Sequence, residues 1–171
     1  SMGGAVALAC ALRYKGSLKG LALSAPALAT GEAVSSFKKL TLRLLSSLAP
    51  NAGALTLPAT AISRDPAVVE AYEQDPLVFR GAIPARTIVE LLQAMAAFPA
   101  SAPELRIPVL VQHGTADTLV PLAATRPVYD LLGPPKARTL RYYDGLFHEV
   151  YNEPERDRVI ADLAAWIEAH R

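Results

Sequence analysis

Ser1, Asp117 and His148 are the residues whose types and order suit covalent chemistry. Ser1 opens the stretch "SMGGAVALAC". A serine followed by two glycines and an Ala/Leu-rich run suggests a hydroxyl on a sharp turn ahead of a closely packed helix. Asp117 lies in "VLVQHGTADTLVP" and His148 in "YYDGLFHEVYNEPER". A serine hydroxyl is a poor nucleophile at neutral pH, so an imidazole must take its proton during attack and return it to the leaving group. A carboxylate must then hold the ring in the right tautomer and stabilise the imidazolium. The order Ser, Asp, His suits acyl transfer of this kind. Taken singly, each has a plainer reading: Asp117 as a turn cap, His148 as a solvated loop residue. Asp144 is the alternative acid.

These side chains need elements to position them. Residues 2–14 are almost uninterrupted Ala, Leu and Val, which predicts a helix buried nearly all round. Cys10, inside it, is expected to be a buried structural thiol. An apolar run over 20–23, stopped by Ser24 and Pro26, reads as a buried strand. Residues 107–114 and 137–145 read as two more strands, with a helix over 121–132 between them and a final helix over 154–170. Strand, helix, strand, helix at this spacing predicts a parallel α/β sheet. Asp117 then falls in the loop after the second strand and His148 in the loop after the third, at the carboxyl edge where open α/β sheets gather functional groups.

The stretch 29–102 shows no strand pattern and three helical ones. Over 32–49, Val34, Phe37, Leu40, Thr41, Leu44, Leu45 and Leu48 share one broad face, with Lys39 and Arg43 opposite. A second helix begins near Asp65 with Pro66 in its first turn. Over 85–98, Ile88, Leu91, Leu92, Met95 and Phe98 recur at helical spacing. A helical insertion of this size between core strands is expected to be functional. Its apolar faces have two uses open to them, packing on the core or lining an acyl channel, and the first helix also suits a lipid interface.

Three motifs, "SMGG", "HGTADTLVP" and "GLFHEVYNEPER", resemble the monoacylglycerol lipase and lysophospholipase group of serine α/β-hydrolases, in this order along the whole chain. The group's elbow normally has Gly-His before the serine, and here nothing precedes Ser1. The resemblance implies an α/β-hydrolase fold: elbow, helix and strand over 1–28, a helical cap over 29–102, and the acid and histidine over 103–171. It implies hydrolysis of a fatty acyl ester of glycerol, with Ser1, Asp117 and His148 catalytic, the Met2 backbone N–H in the oxyanion hole, and no metal or cofactor. Strands that precede the elbow in such enzymes have no counterpart here, so the chain is expected to be the C-terminal part of a longer protein. Carboxylesterases, lysophospholipases and thioesterases share these motifs, as do ligand-binding members of the fold that do not hydrolyse. Epoxide hydrolases and dehalogenases carry a carboxylate where Ser1 stands. A hydrolase using a true N-terminal serine and its amine is the remaining alternative.

Composition narrows the partners. The net charge is +1, so nothing points to nucleic acid held by bulk electrostatics. One cysteine and three scattered histidines give no metal-ligand spacing. The apolar run 2–12 is too short to span a bilayer. The expected setting is cytoplasmic or peripheral to a membrane, with a small lipid ester as partner and transient membrane contact through the cap. His113 is expected to be structural, His170 solvated, Asn152 a helix cap before Pro154, and Glu149 a brace for the histidine loop.

Overall fold

A computed structural model describes residues 1–14, 16, 18–30 and 35–170. Its centre is a three-stranded parallel sheet ordered β1 (Leu21–Ser24), β4 (Val109–Gly114), β5 (Arg138–Tyr143). β4 lies between the other two, with Val109 facing Leu21 on one side and Arg138 on the other. All six residues of β4 are buried, which is why its sequence is a continuous apolar run closed by Gln-His-Gly.

The two faces of β4 have separate duties, because successive side chains point oppositely. Val109 and Val111 join a core with Leu8 of helix α1 (Met2–Arg13), Phe98 of α4 (Ala85–Ser101), and Val128 and Tyr129 of α5 (Leu122–Tyr129). On the other face Gln112 donates through Nε2 to the Val159 carbonyl of α6 (Arg156–Ala169), 2.8 Å away. Val159 itself packs with Tyr143, Leu146 and Val150. Helices therefore cover both faces, as a parallel sheet requires.

Between β1 and β4 the chain forms α2 (Ser36–Leu48), β2 (Gly53–Leu55), α3 (Pro66–Gln74), β3 (Ile83–Pro84) and then α4. Asp65 caps α3 by accepting from the Ala67 amide, with Pro66 in the first turn, as its sequence predicts. β2 and β3 form a small antiparallel pair that sequence reasoning missed. Runs of three and two residues are too short to show a period-two pattern. The expected helix start at Glu32, and Val34 on its apolar face, lie outside the described residues.

Three expectations are corrected. α1 is buried on one stripe only, Ala5, Leu8 and Ala11, since β1 and α4 meet that side alone; Met2 and Val6 are exposed. Cys10 is exposed for the same reason, not buried. Asn152 does not cap the last helix: it ends a short 3-10 turn, Val150–Asn152, and α6 begins at Arg156 behind Glu155. Glu153 is drawn into the interior there and breaks the helix start. His170 is half-buried, stacked on Trp166 at 4.5 Å between ring centroids. No helix among the described residues is long and apolar enough to cross a membrane.

Candidate active site

Ser1 stands at the carboxyl end of β1. Its nitrogen lies 3.2 Å from the Ser24 carbonyl oxygen, and its own carbonyl accepts from Ala27 N at 3.1 Å. The turn that makes this possible passes through Ala25 at φ 38°, a left-handed conformation uncommon for a residue with a Cβ. The Ala25 amide is tied to the Gln112 carbonyl of β4 at 2.9 Å, so the strained turn is held by the central strand. Gly4 lets α1 approach it: a Cβ there would lie 2.6 Å from Pro26 Cβ. A Cβ on Gly3 would meet nothing within 4 Å, so the described residues give that glycine no packing reason.

Ser1 occupies the N-cap position of α1, yet its hydroxyl makes no capping bond and the residue is exposed. A serine at this position normally places its oxygen on a first-turn amide. Here the Ser1 carbonyl serves Gly4 N and Ala5 N, and the hydroxyl is left for other use. The first-turn amides of Met2 and Gly3 have no helical acceptor.

Asp117 and His148 meet directly. The loop after β4 is clamped to the histidine loop by Ala116 N donating to the Leu146 carbonyl at 3.0 Å and Thr115 N to the Tyr143 carbonyl at 2.9 Å. Asp117 Oδ1 accepts from the amides of Leu119 and Val120, both at 2.9 Å. Its Oδ2 lies 2.7 Å from His148 Nδ1. The carboxylate accepts, so Nδ1 carries the proton and Nε2 is the basic nitrogen. Both residues are buried. Burial raises the Asp117 pKa, but bonds from His113, His148 and the Val120 amide outweigh it and hold the carboxyl below the ordinary carboxylate range. Asp144, the alternative acid, instead accepts from Thr115 Oγ1 at 3.1 Å, out in solvent.

His113 does more than fill the core. It is fully buried, its Nε2 lies 3.0 Å from Asp117 Oδ2 and 2.9 Å from the Val120 carbonyl, and its Nδ1 is hydrogen-bonded to the Tyr129 hydroxyl. Facing two acceptors, Nε2 must be protonated. Sequence alone gave no sign that it touches the acid.

Ser1, Leu119 and Val120 border one apolar cavity of about 730 Å³. Ile88, Leu91, Leu92 and Met95 of α4 form one wall, with Leu55, Leu57 and Phe79 across from them. The four α4 residues are those its helical spacing put on one face, and they serve the cavity; Phe98 of the same series serves the core. No hydrogen bond joins Ser1 Oγ to His148 among the described residues, although both lie at the same edge of the sheet. Among the described residues no group of three or more His, Cys, Asp or Glu is placed to hold a metal ion.

Comparison with known proteins agrees with this arrangement. The chain is 40% identical over 173 residues to a monoacylglycerol lipase of Mycolicibacterium smegmatis, covering 99% of this chain and 60% of that protein. It is 30% identical to the human monoglyceride lipase, over 98% of this chain and 56% of the relative. The chain thus spans somewhat over half the length of these relatives. A crystal structure of a Paleococcus ferrophilus monoacylglycerol lipase superposes with a TM-score of 0.89 at 26% identity, over 100% of this chain and 66% of that one. A soluble variant of a Saccharomyces cerevisiae monoglyceride lipase, in complex with a substrate analog, superposes at 0.81 and 20% identity, over 99% of this chain and 60% of that one, which speaks for the fold. The family model described as serine aminopeptidase, S33 (Hydrolase_4) matches residues 1–155, and the chain belongs to that family of α/β-hydrolases.

Proposed function

We propose that the protein carrying this chain hydrolyses fatty acyl esters, monoacylglycerol foremost, releasing fatty acid and glycerol. The observation that carries this is the free Ser1 hydroxyl at the mouth of an apolar cavity, on the sheet edge that holds the buried Asp117–His148 pair. The names of its relatives support the same substrate class. His148 Nε2 takes the Ser1 proton as the oxygen attacks the ester carbonyl. The Met2 N–H, at the positive end of α1, receives the developing oxyanion. Glycerol departs with the proton from His148, and water then cleaves the acyl-enzyme by the same route. Residues 1–28 and 103–171 act as core and 29–102 as a cap over the acyl chain.

The cap also suits a lipid surface. Phe37, Leu40, Leu44 and Leu48 of α2 point outward; Phe37 is 80% and Leu48 85% exposed. The inward side of α2 uses Leu42 against α4, with Lys39 and Arg43 bordering that groove. An outward apolar stripe with cations beside it is how a helix lies at an interface.

One experiment tests both parts. Monoacylglycerols of increasing chain length are compared with matched thioesters and a soluble short-chain ester, for the wild type and for Leu40→Ser with Leu44→Ser. Turnover of the long monoacylglycerols should exceed that of the thioesters. kcat/KM should rise by up to about fourfold per added methylene until the cavity is full, since each buried methylene is worth about 0.8 kcal/mol. The double variant should lose vesicle-borne substrate and keep the short ester. Equal losses on both would mean damaged folding, and no loss on either would remove α2 from substrate capture.

A further inference from the structure

Glu153 is a fully buried carboxylate with no part in the proton transfers above. It sits five residues beyond His148, and everything it touches lies either in the histidine loop or at the base of α3. Its Oε1 accepts from the Phe147 amide at 3.3 Å and from the Arg64 amide at 2.9 Å. Its Oε2 accepts from Arg64 Nε at 2.5 Å. Arg64 also pairs with Glu155, closing the guanidinium over the site. Two more bonds run between the same segments. Glu149 N donates to the Ile62 carbonyl at 2.8 Å, and Ser63 Oγ donates to the Asn152 carbonyl at 3.0 Å.

The backbone amides on both sides of His148 are therefore committed. Phe147 N is held by Glu153, and Glu149 N by Ile62. Both anchors depend on residues 62–64, which lead into the first turn of α3 and lie 89 residues from Asn152 and Glu153 in sequence. A buried carboxylate keeps its charge only beside a compensating cation and donors. Arg64 is that cation, and its side chain is only 34% exposed.

We propose that Arg64 and Glu153 are positioning residues for His148, a staple through which the base of the cap sets the place of the imidazole. The inference rests on His148 being the general base. Neither residue contacts Asp117 or the ring; both act through the backbone of the loop. A shift of about 1 Å in a catalytic group can cost on the order of a hundredfold in rate, so loosening the loop should appear in kcat before it appears in binding.

The test compares Arg64→Met, Arg64→Lys and Glu153→Gln with wild type in the full-length protein. kcat and KM are measured on a soluble short-chain ester per titrated active site, together with amide hydrogen exchange of Phe147 and Glu149. Arg64 is partly exposed, so Arg64→Met should fold even if Glu153→Gln does not. Arg64→Met is expected to lower kcat at least fivefold with KM within about twofold, and to speed exchange at both amides while those of β4 stay protected. Arg64→Lys should recover most of the kcat. A kcat loss below fivefold per titrated site, or unchanged exchange at 147 and 149, overturns the proposal whatever the melting temperature does. If the wild type cleaves no ester, the functional reading fails, and amide exchange alone then decides whether the staple holds the loop.

Discussion

Alanine at Ser1, His148 or Asp117 is expected to abolish most ester hydrolysis, by roughly 10⁶-fold for Ser1 and His148 and about 10⁴-fold for Asp117. The ranking follows from what each atom does. Without Ser1 no acyl-enzyme forms, and without His148 the hydroxyl keeps its proton. Without Asp117 the ring loses the 2.7 Å contact that puts the proton on Nδ1, but Nε2 can still accept in a fraction of molecules. Any double or triple variant should fall no further than the worst single one, because the three act as a unit. Asp144→Ala should cost little, since its carboxylate faces Thr115 in solvent. Steady-state kinetics on a soluble ester checks all of this, and near-wild-type activity in Asp117→Ala would refute the acid assignment.

Gly114→Ala is expected to be nearly as damaging without removing any functional group. A Cβ there would lie 2.2 Å from the Leu146 carbonyl oxygen and 2.4 Å from that of Phe147. These are backbone atoms of the histidine loop, and they cannot rotate away as a flexible side chain would. Overpacking of this kind costs about 1–3 kcal/mol and sometimes more. The loop can relieve it only by moving off β4, which strains the Ala116–Leu146 bond and carries His148 away from Asp117. We expect a loss of at least about 3 kcal/mol in stability and about a hundredfold in kcat. Gly3→Ala makes the contrast. Its Cβ meets nothing within 4 Å, and alanine in a helix is favoured over glycine by about 1 kcal/mol, so stability should hold or rise. Denaturant melts of the two variants would separate the cases; equal stability in both would show that the loop is not held by close contact with Gly114.

Much of the site was legible before any coordinates. β4 announced itself as an apolar run with Pro at its entry and Gly at its exit, and Asp117 falls in the loop behind it, bonded to His148. The α4 face that lines the cavity was visible as a 3.6-residue period. What stayed hidden depends on partners distant in sequence or on which side of an element is covered. Glu153 looked like a favourable acid at a helix start, and only Arg64, 89 residues away, draws it inside. Cys10 shares an apolar helix with Leu8, but only the stripe of Ala5, Leu8 and Ala11 meets the core. His113 gave no sign of touching Asp117, because a contact across four residues of strand and loop has no sequence signature.

The central claim is that Ser1 is the nucleophile, and a serine-directed fluorophosphonate tests it most directly. After reaction with the folded protein, digestion and mass spectrometry should place the label on the peptide holding Ser1 and nowhere else. Ser46 and Ser63 are buried, and Ser24 has its carbonyl on the Ser1 nitrogen and no imidazole beside it. Labelling should vanish in His148→Ala, where nothing removes the hydroxyl proton. Label on any other serine, or full labelling of Ser1 without His148, would contradict the account.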